Sequence, residues 1–290
     1  MILIIVNVKG GLGNQLFQYA LGRVLAIKNS DVLKLDIDFY RDKGREYERK
    51  FLLNQFNIPE LIATDQEIMR VKKSLGVNWK IKSWLSKYVF KNHNVVYDAG
   101  VLKLNGDLYL DGFWQSPRYF ESYEKILKTD IRLRHPLTNI RALEVQGLIK
   151  CNISVGIHVR RGDYVLNNKC KNKLGPCSIT YYKNAIQLIS KDLIDPLYIV
   201  FSDDISWAKD NLKFPSDKVE FIGSNHFSDI DSFFLMSSCT HNIISNSTFS
   251  WWAAWIGEEK NKIVIAPQPW FNKIKYDKKL TPDNWILINK

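Results

Sequence analysis

Short apolar runs bounded by polar residues recur along the chain, and each is short enough to be one buried strand. In the first half the runs are Ile2–Val8 and Val32–Asp36. The second half contains five more, at Ile153–Val159, Leu197–Phe201, Val219–Ile222, Asn242–Ser245 and Ile263–Ala266. The pattern therefore predicts strands spread over the whole chain.

Segments with helical periodicity lie between these runs. From within "KGGLGNQ" onwards, apolar residues recur at helical spacing at Leu12, Leu16, Phe17, Ala20, Leu21, Val24 and Leu25. Similar patterns cover Ile179–Ser190, Asp229–Ser238 and Thr248–Gly257. Strands that alternate with helices predict a parallel sheet with helices on both faces. A proline and turn formers at Leu133–Asn139 mark a candidate boundary between two such domains, which would leave a cleft between them.

The composition is that of a globular protein. The 290 residues are 46% hydrophobic and 24% charged, and a chain of this length suits two domains. The opening "MILIIV" is too short to span a bilayer and lacks the basic flank of a signal peptide, so we expect a cytoplasmic protein. The four cysteines show no CxxC pair, which favours free thiols, with pairing of Cys170 and Cys177 left open.

The net charge of +11 (41 basic minus 30 acidic residues) favours an anionic partner. Segment Arg70–Lys91 carries seven basic residues, no acidic ones and several aromatic ones. Such a segment could make peripheral contact with the anionic inner face of the cell membrane, or it could form a solvated helical face. Nucleic acid is not expected as a partner, because no nucleic-acid-binding motif is present.

Four polar blocks follow predicted strands. They are "GGLGNQ", "HVRRGD", "SDD" at Ser202–Asp204 and "SNSTFS" at Ser245–Ser250. Open α/β sheets bind ligands at the carboxyl ends of their strands, so we expect these blocks to form a site. "GGLGNQ" lacks the third glycine of the dinucleotide fingerprint, because Leu16 occupies that position.

The residue types in these blocks point to an anion. Arg160 and Arg161 offer planar forks of donors suited to phosphate oxygens, and helix starts after Gly13 and Ser247 add backbone amides. Asp203 could accept a hydrogen bond from a base. We therefore predict a phosphorylated nucleotide as ligand.

Two Asp-x-Asp spacings could instead hold a divalent cation for the phosphates. They are Asp36–Asp38 and Asp229–Asp231. Because the two arginines already supply positive charge, we favour a site without metal.

Four blocks resemble signature sequences of the bacterial α1,2-fucosyltransferases of glycosyltransferase family 11. They are "GGLGNQLFQYA", "LDGFWQSPRYF", "HVRRGDY" and "SNSTFSWWAAW", and they extend from Gly10 to Trp255. The resemblance implies an α/β fold of the GT-B type, with two Rossmann-like domains facing across a cleft. It implies transfer of fucose from GDP-β-L-fucose to the 2-hydroxyl of a galactose-terminated glycan, as in O-antigen or oligosaccharide synthesis, with inversion and with no metal or other cofactor.

The same resemblance assigns domains and residue roles. Residues 1–145 would be the acceptor-side domain, and residues 146–290 the donor-binding domain, with a tail able to pack back on the first. The acceptor-contact residues are left open, with Asp111–Ser116 as a candidate wall of the acceptor pocket. The donor-binding residues would be Gly11, Leu12, Gly13, Asn14, His158, Arg160, Arg161, Asp203, Asn246, Ser247, Thr248 and Phe249. The catalytic residues would be Arg161 as the main diphosphate contact, His158, and Asp163 as the best-placed base, with a mechanism that needs no strong base left open.

Two other functions fit the residues. One is a non-catalytic sugar- or nucleotide-binding protein that uses some of the nine tryptophans as a platform, and the other is a transferase for another nucleotide sugar. A binding protein would not turn over GDP-fucose, whereas the enzyme would. Competition by GDP against UDP shows which nucleotide sugar a transferase uses.

Overall fold

The computed structural model describes residues 2–41, 49–59, 62–75, 97–272 and 280–290. These residues form two compact units, one of residues 2–135 with 280–282 and one of residues 136–272 with 283–290. The chain passes from the first unit to the second between His135 and Pro136.

The first unit is built on a three-stranded parallel sheet in the order β2-β1-β3. Its strands are β1 (Leu3–Asn7), β2 (Val32–Asp36) and β3 (Leu108–Leu110). Its helices are α1 (Leu12–Asn29), α2 (Asp65–Ser74) and α3 (Glu124–Asp130). Most of α1 is buried, because it packs on β1 and β2.

The second unit is built on a six-stranded parallel sheet in the order β6-β5-β4-β7-β8-β9. Its strands are β4 (Ser154–Val159), β5 (Leu197–Ser202), β6 (Val219–Ile222), β7 (His241–Ile243), β8 (Val264–Gln268) and β9 (Ile286–Asn289). Every residue of β4 and β5 is buried, as expected for central strands covered on both faces.

The first helix of the second unit precedes its first strand, and the other helices lie between later strands. In chain order, the helices are α4 (Ile140–Cys151), α5 (Gly162–Leu166), α6 (Asn168–Lys173), α7 (Ile179–Ile189), α8 (Ile205–Asn211), α9 (Asp229–Ser238) and α10 (Thr248–Ile256). The apolar face of α7 packs on β4 and β5 through Tyr181, Tyr182 and Ala185. Side-chain oxygens cap several of these helices; Ser228, for example, forms a reciprocal capping box with Asp231 at the start of α9.

Most of the predicted elements are present. The bounds of β2, β6 and α9 agree with the prediction residue for residue. The strand predicted at Asn242–Ser245 is shifted to His241–Ile243, because pairing with β4 ends at Ile243. The prediction did not include β3 or β9: β3 has three residues, and β9 is a largely exposed edge strand.

Gly22 in α1 tests the packing of the first unit. A methyl group there would stand 2.5 Å from Cγ2 of Val6 and 2.8 Å from Cδ1 of Leu33. We expect Gly22→Ala to lower the free energy of unfolding by about 1–3 kcal/mol through overpacking. Urea denaturation followed by circular dichroism measures the change.

Gly147 in α4 provides the control, because a methyl group there would meet no atom within 4 Å. We expect Gly147→Ala to raise the free energy of unfolding by up to about 1 kcal/mol, since alanine favours the helix. Equal effects of the two substitutions would contradict the packing described for α1.

Candidate functional site

Three of the polar blocks meet at one edge of the second sheet. Strand β4 pairs in parallel with β5 on one side and with β7 on the other. His158 lies opposite Phe201, and Ile157 lies opposite Ile243. The residues that follow these strands therefore leave the sheet side by side at its carboxyl edge.

Arg160 lies between two carboxylates at this edge. Its Nη2 donates to Oδ1 of Asp163 at 2.7 Å, and its Nη1 lies 3.0 Å from Oδ2 of Asp203. Burial alone would lower the pKa of Arg160, but the charges of Asp203 and Asp163 outweigh burial and raise it. Arg160 is therefore a permanent positive charge in a fixed position.

Arg161 is also held in place, but by different groups. Its backbone N–H donates to Oδ1 of Asp203 at 2.8 Å, and its Nε donates to Oδ2 of Asp204 at 3.1 Å. Its guanidinium carbon lies 4.1 Å from the centroid of the Trp207 ring, which is cation–π geometry. Asp204 also caps α8, since its Oδ1 accepts from the Trp207 amide at 3.1 Å. One helix start therefore orients the Arg161 side chain.

His158 is buried beside the arginines. Its Nδ1 lies 2.8 Å from Oγ of Ser245, and its ring centroid lies 5.5 Å from that of Phe249. Burial, with a smaller contribution from the charge of Arg160, lowers the pKa of His158 to about 3. The imidazole is therefore neutral at physiological pH and serves as an uncharged hydrogen-bonding group.

The "SNSTFS" block contains a buried residue that supports neighbouring loops and two partly exposed residues. The buried Asn246 amide donates to the carbonyls of Leu174, Gly175 and Trp270 at 3.0, 3.0 and 3.1 Å, so its amide group holds neighbouring loops. Ser247 occupies the N-cap position of α10 and Thr248 is the first residue of that helix, both partly exposed.

The fourth block lies in the first unit, at the carboxyl end of β1. Gly11 is the N-cap residue of α1, so the helix begins at Leu12, two residues earlier than the predicted start after Gly13. Gly10 adopts a left-handed conformation with φ of 85°, and a side chain there would meet Asn14 at 2.8 Å. The side chain of Leu12 is buried, which leaves the backbone of Gly11–Gly13 as the part of the block suited to bind a ligand.

The comparison with known families decides what kind of protein this is. The model of glycosyl transferase family 11 matches residues 2–289. The chain belongs to this family. It is a glycosyltransferase.

Two bacterial relatives of this glycosyltransferase come from Escherichia coli. An α-1,2-colitosyltransferase is 33% identical over 301 residues, which cover 100% of both chains. The O-antigen biosynthesis glycosyltransferase WbnK is 32% identical over 303 residues, which cover 96% of this chain and 98% of the relative.

Solved structures confirm the fold. The crystal structure of the α-1,6-fucosyltransferase NodZ soaked with GDP-fucose matches with a TM-score of 0.50 at 14% identity, covering 88% of this chain and 92% of that one. The predicted α/β fold of the GT-B type is thus confirmed for the glycosyltransferase.

Most of the basic segment Arg70–Lys91 lies outside the described residues. Arg70–Ser74 ends α2, and residues 76–91 lie outside the described residues. Among the described residues, no helix is long and apolar enough to cross a membrane. The contact with an anionic membrane and the cytoplasmic location stay predictions.

The structure adds site residues that the sequence did not single out. Asp204 and Trp207 hold Arg161, Ser245 contacts His158, and the Tyr164 ring lies 5.8 Å from the guanidinium of Arg160. Asp204 belongs to the "SDD" block, so its place after β5 was a usable signal. Trp207 lies three residues further on, within a helix, where nothing in the sequence distinguishes it from a core tryptophan.

The protonation state of His158 can be measured directly. Because burial lowers its pKa to about 3, we expect the imidazole signals of His158 to stay at neutral-form values from pH 8 to about 5. Carbon–proton NMR of the rings measures this, with His158→Gln used for assignment. Below the ordinary imidazole pKa of about 6.5 the unfolded chain takes up this proton first, so stability should fall as the pH drops. A titration midpoint for His158 above pH 6 would contradict this description of the site.

Proposed function

We propose that this glycosyltransferase transfers L-fucose from GDP-β-L-fucose to the 2-hydroxyl of a galactoside, with inversion and without a metal. The observation that carries the proposal is the pair Arg160 and Arg161, fixed by carboxylates at the carboxyl edge of the sheet in a family 11 chain. Guanidinium groups suit the oxygens of a diphosphate, and fixed ones need no reorganisation during the reaction.

The proposed donor is based on the proteins that this chain resembles. The NodZ crystals were soaked with GDP-fucose, and the sequence blocks resemble those of fucosyltransferases. The colitosyltransferase among the relatives favours GDP-colitose as a second candidate, because colitose is fucose without its 3-hydroxyl. The donor assay below distinguishes the two sugars.

The proposed linkage and the proposed kind of acceptor are also based on similar proteins. The colitosyltransferase is named for an α-1,2 linkage, and WbnK is named for O-antigen biosynthesis. Galactose as the terminal sugar comes from the resemblance to the α1,2-fucosyltransferases, so the acceptor we propose is a galactose-terminated O-antigen or oligosaccharide.

The proposed mechanism is a single displacement at the anomeric carbon. The acceptor hydroxyl attacks the face opposite GDP, the bond to the β-phosphate breaks, and negative charge grows on that phosphate. Arg161 stabilises this charge, and Arg160 reinforces it. His158, neutral and bonded to Ser245, lines the donor site. The assignment of Asp163 as the base that takes the acceptor proton stays a prediction; in the structure it holds Arg160.

Contacts of the two Asp-x-Asp pairs support the proposal of a site without metal. Asp36 is buried, and its oxygens accept from the Tyr109 hydroxyl at 2.5 Å and from the Asp38 amide at 3.1 Å. Oδ2 of Asp231 accepts from the amide and hydroxyl of Ser228, each at 2.9 Å. One carboxylate of each pair, that of Asp36 or Asp231, therefore has a structural role.

The first test is one set of incubations. The purified protein is mixed with GDP-fucose, GDP-colitose or a UDP-sugar and with a panel of β-galactosides, each with and without EDTA, and mass spectrometry identifies the products. We expect a deoxyhexose on the galactoside from GDP-fucose, undiminished by EDTA. Transfer from GDP-colitose alone would replace the donor, transfer abolished by EDTA would overturn the metal-free mechanism, and no transfer from any donor would contradict the proposal.

The second test separates the roles of Arg161 and Asp163 by calorimetric titration with GDP. We expect Arg161→Ala to weaken GDP binding at least ten-fold, because a charged hydrogen-bond donor is worth about 1.5–3 kcal/mol. Asp163→Asn should change the affinity less than three-fold, since Asp203 still pairs with Arg160. Arg141→Ala is the matched control, because Arg141 is an ion-paired arginine elsewhere in the second unit. Equal effects of Arg161→Ala and Asp163→Asn would overturn these roles.

A further inference from the structure

We propose that a binding subsite for the acceptor sugar lies in the first unit, formed by the ring of Phe113 and the polar cluster of Asn7, Lys9 and Asp111. This inference rests on the proposed function for its choice of a galactoside as ligand. The sequence had suggested Asp111–Ser116 as a wall of the acceptor pocket, and contacts within the first unit now single out Phe113 and the polar cluster.

The polar cluster follows the carboxyl ends of two paired strands. Asn7 ends β1, and Asp111 comes directly after β3, its parallel neighbour. Nδ2 of Asn7 donates to Oδ1 of Asp111 at 3.2 Å, and the ammonium group of Lys9 forms an ion pair with the same oxygen. The side chains of Lys9 and Asp111 are 23% and 19% exposed, so solvent and a ligand can reach both. Such a cluster offers donors and acceptors to sugar hydroxyls.

Beside this cluster lies an exposed aromatic ring. Phe113 is 38% exposed, and the Lys9 ammonium lies 5.4 Å from its ring centroid. The face of an aromatic ring is electronegative and attracts the C–H groups of a sugar. A β-galactoside has one such apolar face, formed by the C–H groups of carbons 3, 4 and 5. The aromatic ring therefore suits the apolar face of a galactose unit, and the neighbouring charged pair suits its hydroxyl groups.

The loop that carries Phe113 is fixed by its neighbours. The following residue, Trp114, is buried in a left-handed conformation with φ of 52°. Its indole covers Gly112, where a methyl group would stand 2.7 Å from Cε2. A backbone conformation this unusual for a tryptophan is maintained only where the surroundings determine it. The exposure of Phe113 is therefore a property of the loop's fixed shape.

The loop also borders the glycine-rich block at the start of α1. Nε2 of Gln115 donates to Oδ1 of Asn14 at 2.8 Å. The resemblance assigns Gly11–Asn14 to the donor, and an acceptor hydroxyl must come close to the donor sugar to attack it. A saccharide held by Phe113 and Asp111 would lie beside that block.

Saturation-transfer NMR tests the subsite without requiring turnover. Methyl β-galactoside and methyl β-glucoside are each titrated against the protein in the presence of GDP. We expect galactoside binding in the wild type, with the strongest saturation on the protons of carbons 3, 4 and 5. We expect weaker binding of the glucoside, whose equatorial 4-hydroxyl interrupts the apolar face.

Variants identify the residues involved. We expect Phe113→Ala and Asp111→Asn each to weaken galactoside binding at least about ten-fold, and Phe113→Tyr to restore most of it. Ile126→Ala is the matched control, because Ile126 in α3 is also 38% exposed, and it should leave binding unchanged. GDP affinity within two-fold of wild type in all variants shows that they are folded.

The outcomes separate this inference from the proposed reaction. Galactoside binding that persists in Phe113→Ala and Asp111→Asn would overturn the subsite, as would no galactoside binding by the wild type. Galactoside binding that depends on Phe113, in a protein that does not consume GDP-fucose, would support the subsite and contradict the reaction.

Discussion

The candidate site depends on one carboxylate, that of Asp203. Its Oδ1 accepts from the backbone of Arg161, and its Oδ2 pairs with the side chain of Arg160. Two neighbouring arginine side chains repel each other, and the charge of Asp203 offsets this repulsion. The parallel register of β4 and β5 brings Asp203 to this place, since Val159 lies opposite Ser202. Gly162 leaves room for it, because a methyl group there would stand 2.7 Å from Oδ2.

This arrangement gives the arginines fixed positions before any ligand binds. Three carboxylates, those of Asp163, Asp203 and Asp204, contact the two arginines. The Trp207 ring packs against the guanidinium of Arg161 at 4.1 Å, and the Tyr164 ring lies 5.8 Å from that of Arg160. Charges that are already oriented stabilise a developing anion without the cost of turning dipoles towards it. The carboxylates therefore act as the scaffold of the proposed anion site, even though they carry the opposite charge to the groups they hold.

The sequence predicted the fold well and the side-chain contacts less well. Uninterrupted apolar runs and turn formers located the strands, because burial on both faces of a parallel sheet demands such runs. The carboxyl-end positions of Arg160 and Asp203 followed from that order. What could not be predicted are contacts that depend on three-dimensional packing. The Asn246 amide lies in a block expected to bind the donor but supports three carbonyls, and Trp207 reaches Arg161 from within α8.

The central claim is that fixed arginines bind a diphosphate in place of a metal ion. The most direct test compares GDP with GMP by calorimetry, in buffer containing EDTA, on the unmodified protein. We expect GDP to bind at least about ten-fold more tightly than GMP, because the second phosphate adds charged hydrogen bonds. Equal affinities for the two nucleotides, or GDP binding that appears only when a divalent cation is added, would contradict the central claim.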